Sequence, residues 1–89
     1  MKENYNMAAD AAENHMRAYM QERMKEKGIT VYRLSQLVDV AESTLHRWFS
    51  GDSKTTLATF LKICGALQLN PYLVPAEDDP TERQRIHFN

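Results

Sequence analysis

Two short amphipathic helical segments, separated by only three residues, constrain this chain more than any other feature of it. They lie in residues 30–51, TVYRLSQLVDVAESTLHRWFSG. In the first half Val31, Leu34, Leu37 and Val38 define one face of a helix, and in the second Leu45, Trp48 and Phe49 define another. The residues between them are too few for an ordinary loop. Asp39 tolerates a left-handed backbone, and Val40 is an apolar side chain suited to plug the angle between two helices. Gly51 supplies a helix stop.

The flanking segments read as further helices. Residues 6–27 predict a long first helix: Ala8, Ala9, Ala11 and Ala12 have the highest helix propensity available, and Ala12, Met16, Met20 and Met24 recur every fourth residue with Tyr19 beside them. Lys25 and Lys27 suit the negative end of its dipole, and Gly28 stops it. Residues 1–6 are read as an N-terminal arm, with Met1 to Tyr5 open to being either disordered or the start of the same helix. Thr30 is an N-cap for a helix ending near Val38, and the next helix runs from about Glu42 to Phe49 or Ser50. Ala41 cannot cap that helix with its side chain, although the charge of Glu42 suits its positive end. After a polar loop, Thr55 or Thr56 caps a fourth helix whose inward face is predicted to carry Leu57, Phe60, Leu61, Cys64 and Leu67, with Ile63 flanking. Asn70-Pro71 signals another helix start, but Pro75 limits it to a short fifth helix or a 3₁₀ turn over residues 71–74. The domain is therefore expected over residues 7–75. Residues 76–89 form a polar tail in which Arg83 to Phe88 would order only against a partner.

A chain of 89 residues with 43% hydrophobic content is one small domain with core enough to fold without a metal or a disulfide. Its single cysteine, Cys64, sits in an apolar helical pattern and reads as a core residue in a reducing compartment. The expected location is cytoplasmic, since no apolar run approaches a membrane span and the N-terminus lacks the order of a signal peptide. The net charge of −1 is unlike that of a generic nucleic-acid binder, whose phosphate affinity comes from Lys and Arg. Distribution matters more than the sum, because Glu77, Asp78, Asp79 and Glu82 lie in the tail whereas Arg33, Arg47 and Lys54 lie within or just beyond the paired helices.

The paired helices and the segment C-terminal to them resemble the helix-turn-helix of the Cro and phage-repressor family, also called XRE. The matching residues are Thr30, Leu34-Ser35, Val40, Ser43-Thr44-Leu45, Arg47-Trp48 and Gly51, continued by Thr56-Leu57, Leu61, Lys62-Ile63 and Ala66-Leu67. Roughly residues 16–74 are covered, and the joint pattern is far more specific than any one dipeptide. Asp39 stands where the family usually has Gly, Ala41 where Ser is usual, and Glu42 where a neutral or basic residue is common. The resemblance implies an all-α fold, a compact five-helix bundle of the lambda-repressor-like type, here with an extended first helix. It also implies sequence-specific binding of a double-stranded DNA operator by a transcriptional regulator, a repressor by expectation, acting as a homodimer.

With Leu45, Trp48 and Phe49 inward, the third helix turns Glu42, Ser43, His46 and Arg47 outward, and the family's base contacts map onto that first turn and a half. Arg47 can donate two parallel hydrogen bonds to guanine, Glu42 can accept from the cytosine amino group, and Ser43 can serve a base or a phosphate. Glu42 is equally well read as a helix-start charge. Phosphate contacts are expected from Thr30, Arg33, Thr44, Lys54 and Thr55, although Arg33 or Lys54 taken singly is as readily a solvated surface charge. His15, His46 and His87 are far apart, so no metal-ligand spacing appears and no cofactor is expected. No nucleophile, base and carboxylate gather in the pattern, so no enzyme is expected either. The competing reading is a protein-interaction module on the same fold, or an antitoxin that binds a toxin with one part and DNA with another.

Overall fold

The computed structural model describes residues 2–78, with side chains described from Tyr5 to Glu77. Four α-helices follow one another: α1 Lys2–Lys27, α2 Val31–Val38, α3 Glu42–Phe49 and α4 Leu57–Ala66, then a single 3₁₀ turn at Ala76–Asp78. At about 1.5 Å per residue α1 is roughly 39 Å long, so it alone runs the length of a molecule measuring 38 × 25 × 20 Å. Helix α2 packs on α3 and α4, and α1 packs on α3. Among the described residues no helix is long and apolar enough to cross a membrane.

All four helices end in the same way, on a residue in the left-handed region. Gly28 (φ 67°), Asp39 (φ 57°), Gly51 (φ 86°) and Gln68 (φ 57°) occupy these positions. Each is followed by a backbone bond that reaches back five residues: Ile29 N–H to the Met24 carbonyl at 2.9 Å, Val40 to Ser35 at 3.2 Å, Asp52 to Arg47 at 2.8 Å and Leu69 to Cys64 at 2.8 Å. Such closures satisfy carbonyls that a helix end otherwise leaves orphaned. Asp39 thus closes the turn between α2 and α3 without a glycine. At the opposite ends, Thr30 and Thr56 cap α2 and α4, their hydroxyls accepting from Arg33 N–H at 3.0 Å and Thr59 N–H at 3.1 Å. Ala41 offers α3 no side-chain cap. Thr30→Ala is expected to lower stability by about 1 kcal/mol, read as a shift of the chemical-denaturation midpoint with an unchanged slope.

The core is built from Met20 and Met24 of α1, Leu34 and Val38 of α2, Leu45, Trp48 and Phe49 of α3, and Ile63, Cys64 and Leu67 around α4. Val40 packs against it from the turn, as expected of a plug. Burial also pushes the Cys64 thiol up from its ordinary value, so it is protonated at neutral pH. Arg23 ties α1 to the end of α4 by donating from Nε to the Leu67 carbonyl at 3.0 Å.

Several expectations require correction. The first helix begins at Lys2, so residues 2–6 continue it and form no separate arm. On α4 the inward face is rotated: Ile63 is fully buried at its centre, while Leu57 (72% exposed) and Leu61 (44%) point outward. Leu37 is likewise exposed, and of the methionine series Met20 and Met24 are buried but Met16 is not. No fifth helix forms over residues 71–74, which have no regular structure. The two prolines explain this. Pro75 has no N–H to give to the Pro71 carbonyl, which would have been the closing bond of so short a helix, and its ring disfavours helical backbone at Val74. Among the described residues the bundle therefore has four α-helices, and their only turn of 3₁₀ sits one position past Pro75. The rest of the polar tail lies outside the described residues.

Candidate nucleic-acid interface

Helix α3 is held by its buried side chains and presents everything else. Leu45 is 1% exposed and Trp48 3%, with the Trp48 ring 4.9 Å from Phe49 and 6.3 Å, edge-on, from Phe60. At about 100° per residue this stripe sends Ser43 and Arg47 directly away from the core, with His46 and Glu42 to one side and Thr44 to the other. All five of these residues are exposed.

The outward side chains are not equally free. His46 Nε2 lies 3.3 Å from Glu42 Oε2, one helical turn away, so two of the four expected base readers are paired with each other. That pairing covers part of the Glu42 charge and leaves Ser43 and Arg47 as the uncommitted groups. The Arg47 side chain makes no hydrogen bond or ion pair with any described residue, and its carbonyl accepts from the Ser50 hydroxyl at 3.0 Å and from Asp52 N–H.

Around α3 the expected phosphate contacts divide. Thr30 uses its oxygen as an acceptor for the α2 cap, which leaves its O–H free to donate outward. Arg33 is exposed and donates to Gln36 Oε1 at 3.3 Å, while Gln36 donates to Tyr32 Oη at 3.1 Å. Tyr32 and Gln36, which extend Arg33 into a row on α2, are absent from the residues expected from the sequence, although they stand one helical turn apart and so share a face. Thr55 is half-buried and lines a shallow groove with Glu13, Met16, Trp48 and Leu57.

Lys54 departs most from expectation. It is exposed, but its ammonium donates to Glu13 Oε2 at 2.6 Å and lies 3.5 Å from Asp10 Oδ1, both on α1. The hydrogen bond to Glu13, with the charges of Glu13 and Asp10, raises its pKa above the ordinary lysine value. Beside it Arg17, only 8% exposed, donates to the Asn14 side chain, lies 3.7 Å from Glu13 and covers Gly51 at the end of α3. The sequence gives the spacing of Asp10, Glu13 and Arg17 on one helix, but not that this helix passes beside the loop after α3.

A family model described as a Cro/C1-type HTH DNA-binding domain matches residues 20–72. That span contains α2, α3, α4 and the turn between α2 and α3, together with the last part of α1. Asp10, Glu13 and Arg17 precede it. No curated protein and no solved structure matches the chain.

Proposed function

Since the chain belongs to the Cro/C1-type helix-turn-helix DNA-binding family, we propose that it is a transcriptional regulator of the repressor kind whose α3 enters the major groove of an operator. The observation that carries this reading is the outer face of α3, uncovered by any other described residue, where Ser43 and Arg47 are exposed and Glu42 and His46 flank them. Helix α2 then crosses the phosphate backbone, with the Thr30 hydroxyl and Arg33 facing it. Glu42, Ser43, His46 and Arg47 read base edges. Thr30, Arg33, Thr44, Lys54 and Thr55 remain the phosphate-contact set, with Lys54 engaged by α1 and Thr55 half-buried. The chain acts by binding alone, without a cofactor and without catalysing a reaction.

A single domain of this size covers little DNA, so the bound species is a homodimer on a two-fold site. Leu57, Leu61, Tyr72 and Leu73 supply exposed apolar surface for a protein contact, Leu73 being 99% exposed. The same surface favours a second reading, in which a different protein docks there, as in an antitoxin.

Fluorescence anisotropy with a random-sequence duplex at low salt tests the DNA reading. The folded protein is expected to bind, with affinity that falls as salt rises. A folded protein that shows no binding even at the lowest salt would leave the protein-interaction reading alone.

A further inference from the structure

The geometry points to Asp10 and Glu13 as affinity-setting residues of the DNA interface, competing with the phosphate backbone for Lys54. This rests on the DNA reading, and goes beyond it because both residues precede the stretch that matches the family.

An ammonium has three donors, and in this structure one is held by Glu13 at 2.6 Å while Asp10 stands at 3.5 Å. With Arg17 3.7 Å from Glu13, the group of Asp10, Glu13, Arg17 and Lys54 carries two positive and two negative charges. The Lys54 ammonium in the loop after α3 is thereby offset by carboxylates of α1. A free lysine that meets DNA releases a condensed counterion, and this release makes affinity fall with salt. Lys54 instead exchanges one anion for another, and the carboxylates it leaves behind face a polyanion. Both terms oppose binding. The net charge of −1 acquires a local meaning: an exposed cation just after α3 is offset by α1.

The test uses the full chain and a random-sequence duplex, with anisotropy titrations across a series of salt concentrations. Asp10→Asn/Glu13→Gln is expected to raise affinity at low salt at least about fivefold and to steepen the slope of log K against log salt by about one unit. Lys54→Ala added to the double variant should abolish the gain. Glu22→Gln/Glu26→Gln makes the same change in formal charge on the opposite side of α1, and should give less than half of the gain. Circular dichroism shows whether each variant keeps its helices, which these isosteric replacements are expected to do.

If the wild type and Asp10→Asn/Glu13→Gln bind with equal affinity and slope, the proposal is overturned while the DNA reading stands. A gain that survives Lys54→Ala, or that Glu22→Gln/Glu26→Gln reproduces, overturns it too, since the effect would then be net charge and not competition for that ammonium. Absence of binding in every variant removes both.

Discussion

Trp48→Ala is expected to cost about 3 to 5 kcal/mol of folding stability, the loss typical of emptying a large aromatic site in a close-packed interior. Trp48 is 3% exposed and in ring contact with Phe49 and Phe60, so its removal opens a void between α3 and α4 that short helices cannot easily close. A second variant separates packing from polarity. The indole Nε1 is buried without a hydrogen-bond partner, so the native state already bears part of the cost of desolvating that donor. Trp48→Phe removes the orphaned N–H and keeps one ring, and should cost well under half as much as Trp48→Ala. Urea denaturation followed by circular dichroism measures both. If the two variants lose the same stability, volume is not what the indole contributes.

Arg47→Ala should weaken binding to the preferred operator by about 1 to 3 kcal/mol and relax the preference at one base pair, while leaving affinity for random duplex much less changed. The reasoning is geometric. Arg47 points directly away from the buried stripe of α3, and no described side chain holds its guanidinium, so nothing need be broken before it meets a base edge. Arg47→Lys keeps the charge and loses the planar fork that matches guanine, so it should retain random-duplex binding and still lose discrimination. Selection of bound duplexes from a random pool, followed by titration of the enriched site, measures both quantities. Unchanged site preference in Arg47→Ala would remove this residue from the reading set.

The local parts of the structure were legible in the sequence because the signals that make them are local. The Thr30 cap, the left-handed Asp39, the plug at Val40 and the buried stripe of α3 each depend on residues within a turn or two of one another. Interfaces between distant segments were harder to read. The face of α4 was misjudged because Leu57, Leu61, Ile63 and Cys64 fit more than one apolar stripe, and only the position of α2 decides which stripe is covered. The engagement of Lys54 was not legible at all, since Glu13 lies 41 residues earlier in the chain. In the sequence Pro75 signals a limit on a fifth helix, yet its missing N–H prevents that helix from forming.

Because every helix closes on its own backbone, the tilt of α3 is dictated by main-chain bonds and by side chains that face inward. Nothing in that scaffold depends on the identity of Ser43 or Arg47. A lineage of such chains is free to trade those two letters, and so change its genomic address, without renegotiating the architecture that presents them.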